Sequence, residues 1–169
     1  TKLSSLPITG DFFLSVTANF VSSSNNPKSM KVLLSIKPQF VAEIMKGNKL
    51  YEFRKAIYKR TDVTSIVVYA SSPVCRVVGE IEVDEILCAN PEELWEMTHD
   101  KAGISREFFD EYFLDRDKAY AIGIKQFLPY AQPERLAEAF PGKVPPQSFC
   151  YVSWWRIWVW CIIFRTLWS

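Results

Sequence analysis

From Met30 onward the chain alternates short apolar runs with capped helical segments, and this alternation limits the fold more than any bulk property. KVLLSI (31–36) reads as a strand, and SIVVYA (65–70) as a buried strand because of its run of β-branched residues. Between them, PQFVAEIMKG (38–47) has Pro38 in its first turn, Phe40, Val41, Ile44 and Met45 on one face, and Gly47 as a stop, which predicts a short helix. VVGEIEVDEIL (77–87) sets Ile81 and Val83 against Glu80, Glu82 and Asp84, the pattern of a strand with one wet face. NPEELWEM (90–97) offers Asn90 as an N-cap, Pro91 at the first helical position, and Glu92 and Glu93 where the helix dipole favours acids. SREFFDEYF (105–113) reads as another helix, capped by Ser105 and carrying an aromatic face. KAYAIGI (118–124) and QSFCYV (147–152) complete the strands, joined by a proline-punctuated excursion with room for a short helix, PERLAEAF. The expected class is α+β: a small mixed β-barrel of five to six strands with short helices packed around it.

A chain of 169 residues, 49% hydrophobic and 23% charged, has the composition of one globular domain with appendages. Residues 1–29 end in the polar SSSNNPKS and are expected to be a poorly ordered leader or linker. Their apolar patch FFLSVTANFV is interrupted by Ser15, Thr17 and Asn19 and lacks a basic leader, so it does not read as a signal peptide. The domain is expected over 30–152. The remaining 153–169 hold five of the six tryptophans, but their longest apolar run, Ile157 to Phe164, is bracketed by Arg156 and Arg165. Eight residues fall far short of the ~20 a spanning helix needs, so no stable membrane span is expected. An interfacial anchor, an extension foreign to the domain and an oligomer-forming strand all remain open for this tail.

A net charge of +1 conceals an asymmetry: residues 31–60 carry eight Lys/Arg against two acids, whereas 80–117 carry thirteen acids against three bases. The first segment can present a basic surface to an anionic ligand such as a nucleotide or RNA; two ordinary solvated faces give the same numbers. The cysteines Cys75, Cys88, Cys150 and Cys161 show no C-x-x-C spacing and have only His99 to join them. No metal site or cofactor is expected, and reduced thiols in a cytoplasmic protein are the default. A catalytic pair of a cysteine with His99 would lack a third group to orient it.

GNKLYEFRK (47–55) breaks the separation of polar and apolar faces. A strand through it sends Leu50, Glu52 and Arg54 to one face and Lys49, Tyr51 and Phe53 to the other, so neither face is purely polar or apolar. Such breaks concentrate at functional sites. Lys49 and Arg54 have opposite parity, so both reach one cleft only if Lys49 still belongs to the turn after Gly47. A lysine leaving such a turn is normally exposed, and Lys49→Ala is therefore expected to spare the fold and weaken binding.

SIKPQFVAEIMKGNKLYEFRK, YASSPVCRVVGEIEV, KAYAIGI and PPQSFCYV together resemble the ASCH domain, a PUA-like β-barrel family, over Met30 to Val152. The most specific element is G-x-K-x-x-E-x-R, here Gly47, Lys49, Glu52 and Arg54, preceded by S-x-K-P at Ser35, Lys37 and Pro38. The resemblance implies a cleft for RNA or nucleotide-like ligands and a regulatory or RNA-metabolic role. Ligand contacts are then expected from Ser35, Lys37, Lys49, Glu52, Arg54, Tyr69, Ser71 and Ser72, with Tyr51 or Tyr69 stacking on a base. Some small members resemble ribonucleases, and others are amidohydrolases acting on acetylated cytidine nucleosides. The hydrolase alternative would use Glu52 as base and Lys49 to stabilise an oxyanion. Glu52 stands where the amidohydrolases carry a nucleophilic Thr, and their second acidic residue has no clear counterpart, so that activity does not carry over. An ion pair of Glu52 with Arg54 that closes the barrel, a core role for Tyr51 and Phe53, and a plain turn at Ser71–Ser72–Pro73 are the structural alternatives. An interaction or membrane-surface protein acting through its Trp-rich end is the alternative of a different class.

Overall fold

The computed structural model describes residues 30–153. Most of the expectations for 1–29 and 153–169 lie outside the described residues. Six strands and four short helices follow one another as β1 (Lys31–Ile36), α1 (Pro38–Met45), β2 (Tyr51–Arg54), β3 (Ser65–Ala70), β4 (Arg76–Ala89), α2 (Pro91–Thr98), α3 (Arg106–Tyr112), β5 (Ala119–Glu134), α4 (Leu136–Ala139) and β6 (Cys150–Val152). They form one mixed sheet in the order β2-β5-β4-β3-β1-β6. Only β1 and β3 run parallel, with Leu34 opposite Val68, because α1 and β2 lie between them in the chain and carry it across.

The interior strands β1 and β3 show why their sequences lack alternation. Val32, Leu34 and Ile36 on β1 and Ile66 and Val68 on β3 face one core, shared with Val41 and Ile44 of α1. Leu33 and Val67 face the opposite core, which α4 covers with Leu136 and Ala139. Both faces being buried, the fully buried positions of both strands are apolar, and the polar Lys31, Ser35 and Ser65 stand at half-buried positions. A third core packs Leu94 of α2 and Phe109 and Phe113 beside α3 onto Phe53, Ala119 and Ala121.

The helix signals act as the sequence predicts. The Asn90 side chain accepts from the Glu93 N–H, Ser105 accepts from the Phe108 N–H, and Gly47 turns the chain after α1 at φ +76. Met45 differs from its expected place on the buried face, being 59% exposed. β5 is much longer than KAYAIGI, running on to Glu134 through Pro129 and Pro133, which in the sequence read as breaks.

The barrel expected from the resemblance is not closed by backbone pairing. β2 and β6 stand at opposite ends of the strand order and do not pair. Their ladders are short, four residues of β2 on β5 and three of β6 on β1. Register shifts in β4 near Val77/Gly79, Glu82/Val83 and Val83/Ile86 bend the long β4–β5 hairpin, and a side chain spans the seam instead.

Tyr58 offers a direct test of this core. Its ring lies 6.1 Å from that of Phe149, and its buried hydroxyl has no hydrogen-bond partner among the described residues. Burial, reinforced by nearby Tyr151, pushes its phenol up to about 12 from 10.0. Folding therefore favours the neutral phenol: that contribution is whole below pH 10 and is lost as pH rises toward 12. Tyr58→Phe should leave neutral-pH stability within about 1 kcal/mol of the parent, since no hydrogen bond disappears. It should also flatten the alkaline decline in a denaturation series run across pH.

Candidate functional site

The bent sheet leaves a cavity of about 220 Å³ beside the start of α1, lined by residues from β1, α1, β2, α3 and the strap that precedes β6. Ser35, Lys37, Lys49, Glu52 and Arg54 all line it. Lys49 lies in the turn, where its N–H is held by the Glu43 carbonyl at 3.2 Å, while Glu52 and Arg54 lie on β2. The parity conflict is thus resolved by the turn.

Lys49 is not exposed, which corrects the expectation that its loss would spare the fold. It is 1% exposed, Glu52 6% and Arg54 9%. The Lys49 ammonium donates to the Ala102 carbonyl at 3.0 Å, lies 3.8 Å from Glu52 Oε2, and sits 4.7 Å from the Phe53 ring centre and 5.4 Å from that of Phe40. Burial pushes this ammonium below the usual lysine range, the Glu52 charge opposes that, and Arg54 adds to it. The loop carrying Ala102 fits tightly: Gly103 has φ +63, and a Cβ there would stand 2.5 Å from Lys49 Cβ. Only glycine combines that backbone with that approach.

Arg54 closes the seam. Its Nη2 donates to the Ser35 carbonyl on β1 at 2.8 Å and pairs with Glu52 Oε1 at 3.1 Å, while its Nη1 reaches the Ser148 carbonyl at 3.5 Å. Glu52 thus lies between two cations. The expected Glu52–Arg54 ion pair is present, and it lines the cavity as well as bracing the fold.

α3 supplies the wall. Phe108 and Tyr112, four residues apart, line the cavity, while the next pair, Phe109 and Phe113, enters the core against Phe53. Phe40 meets Phe108 edge to face at 5.3 Å. At the mouth, Lys37 Nζ lies 5.7 Å from the Phe108 ring centre and Lys55 Nζ 4.9 Å from that of Tyr112. Burial raises the Tyr112 phenol.

Other residues from the sequence reading lie elsewhere. Tyr69 is buried in the core under α4, and Ser71 and Ser72 lie in the turn after β3, where the Ser71 N–H is tied to the Ile36 carbonyl; none of the three lines the cavity. Tyr51 packs against the third core. The reading missed Phe40, Phe108, Tyr112, Ile104 and Gln147 as lining residues. Phe108 and Tyr112 carried a signal in their four-residue spacing; Gln147 sits in an irregular strap and carried none. Among the described residues no cluster of His, Cys, Asp or Glu could hold a metal ion, and no helix is long and apolar enough to cross a membrane.

No family model matches the chain. It is 27% identical over 128 residues to an ASCH domain-containing ribonuclease of Zymomonas mobilis, covering 75% of this chain and 86% of that protein. The crystal structure of ASCH from Zymomonas mobilis superposes with a TM-score of 0.66 at 27% identity, covering 80% of this chain and 94% of the other. A third similarity, 26% identity over 140 residues, is to the large ribosomal subunit protein uL22 of Ureaplasma parvum, covering 81% of this chain but 40% of that longer protein.

Two substitutions probe the floor. Lys49→Ala should lower stability by about 2–4 kcal/mol by leaving a void, whereas Lys49→Met, which fills it without a buried charge, should cost less. The depressed lysine favours folding most above 10.5, and that contribution is lost as pH falls through its lowered value. The Met variant should lack this dependence in urea titrations at several pH values. Gly103→Ala should destabilise by about 1–3 kcal/mol and shift the Lys49 resonances in NMR spectra.

Proposed function

We propose that the described residues form an ASCH domain whose cavity binds RNA or a nucleotide-like unit of it, in an RNA-metabolic role in the cytoplasm, a reading supported by the likeness to the Zymomonas mobilis protein and its crystal structure. One observation carries this reading: a single small cavity combines a lysine-bearing mouth, an aromatic wall and a cationic floor. Aromatic faces suit bases, lysines suit phosphates, and low-dielectric walls focus the field of buried cations into the opening. Lys37 and Lys55 meet the anion, Lys49 and Arg54 set the potential beneath it, and Ser35 and Glu52 hold the two cations in place. The relative named as a ribonuclease supports an RNA ligand.

Phosphate contact makes affinity salt-dependent, with a log–log slope of about −0.7 per phosphate on single strands. Two rim lysines give an expected slope of about −1.4, falling by about 0.7 in Lys37→Ala. Fluorescence titration of a labelled mixed-sequence RNA at several salt concentrations measures both. Absence of binding at low salt would remove the proposal.

The ribonuclease name also favours a second reading, in which the cavity turns its ligand over. Glu52 would accept a proton from water and Lys49, 3.8 Å away, would stabilise the developing oxyanion. Cleavage of labelled RNA by the parent but not by Glu52→Gln is the expected result. Cleavage that survives this substitution would exclude Glu52 as the base.

A further inference from the structure

The polar groups of the cavity divide into those already engaged and those that are free. Ser35 Oγ donates to the Pro146 carbonyl at 2.8 Å, Lys49 is held by Ala102, and Arg54 uses Nη1 and Nη2 on Ser35, Ser148 and Glu52, while its buried Nε has no partner among the described residues. At 1% and 9% exposure Lys49 and Arg54 offer a ligand almost no surface, and the half-buried Ser35 hydroxyl is engaged. Gln147 is the opposite case. It lines the cavity, is exposed, and makes no hydrogen bond or ion pair among the described residues. Its backbone neighbours are fixed on both sides, since the Pro146 carbonyl is held by Ser35 and the Ser148 carbonyl by Arg54. A free amide is thus carried on a pinned strap that lines the same cavity as Phe108 and Tyr112.

We infer that Gln147 is the specificity-determining residue of this cavity: its side-chain amide reads the hydrogen-bonding edge of a nucleobase stacked on the α3 wall, while Lys37 takes the attached phosphate. An amide presents one donor and one acceptor side by side, and so complements a base edge with an adjacent acceptor and donor; every base carries such a pair on its Watson–Crick edge, and adenine alone carries one on its Hoogsteen edge as well. The buried Lys49–Glu52–Arg54 chain acts on specificity only by positioning the strap. This rests on the RNA-binding reading above and assigns the discrimination within it.

Replacing the amide by a carboxylate gives a chemically signed test. Gln147→Glu presents two acceptors and pairs best with guanine, whose N1–H and N2–H2 are adjacent donors. Affinities of the four ribonucleoside 5′-monophosphates, and of a mixed-sequence RNA, are measured by NMR titration for the parent, Gln147→Ala, Gln147→Glu and Lys37→Ala. The parent should bind adenosine monophosphate most tightly, by more than the about twofold spread expected once the amide is removed. Gln147→Ala should bring the four affinities within about twofold of one another, and Gln147→Glu should shift the ratio toward guanosine monophosphate even as its added charge lowers every affinity. Lys37→Ala should weaken all four alike and leave their ratios unchanged. Ratios that persist in Gln147→Ala, with binding retained, overturn the inference and leave RNA binding standing. Failure of the parent to bind either the monophosphates or the RNA overturns both. Because Gln147 is exposed and unpartnered, its variants should melt with the parent, which a thermal scan checks.

Discussion

The guanidinium of Arg54 joins β2 to the β1–β6 side of the sheet, two regions that no backbone ladder links directly. It reaches from β2 at one end of the strand order to the Ser35 carbonyl on β1 and to the Ser148 carbonyl ahead of β6 at the other. A planar fork with five donors suits this task; an ammonium, a point charge, could not serve several divergent acceptors with the same fixed geometry. The cavity exists because the seam is bridged by a side chain. Backbone pairing there would have filled the space that Phe40, Phe108 and Gln147 border.

Bridging with a buried cation imposes further requirements. Glu52 compensates Arg54 directly and Lys49 across 3.8 Å, and Lys49 in turn takes the Ala102 carbonyl and two aromatic faces. Buried ion chains of this kind add little net stability compared with apolar packing, but breaking one partner leaves an uncompensated charge. That explains why the charges in GNKLYEFRK form a set. Lys49, Glu52 and Arg54 each need a neighbour before any ligand is considered, whereas Lys55 stands outside the chain of charges, over Tyr112.

What could be read from the sequence follows from where the information is local. The strands β1 and β3 coincide with KVLLSI and SIVVYA because burial on both faces demands unbroken apolar runs. The caps at Asn90 and Ser105 are short-range hydrogen bonds, visible in four residues. The convergence of Lys49, Glu52 and Arg54 was legible through parity and a glycine turn. Their burial was not, because it depends on Gly103 and Ala102, fifty residues further on. Tyr69 sits on a β3 face that only α4 reveals as core, and Ser71 and Ser72 are spent on a turn. The open seam was equally hidden, since strand lengths and bulges, unlike apolar runs, depend on partners far along the chain.

β2 occupies an unusual place in the connectivity. It is made early, within the crossover from β1 to β3, yet its only pairing partner among the described residues is β5, from Tyr120 to Gly123. During synthesis the segment bearing Lys49, Glu52 and Arg54 must therefore wait until β3, β4, α2, α3 and the first half of β5 have emerged. Non-local pairings of this length close late and slowly. The charges that later lie buried keep the waiting segment hydrated and unattractive to other strands, as gatekeepers do. No nascent or truncated chain lacking β5 can assemble the pocket, so the site is an all-or-none property of the finished sheet.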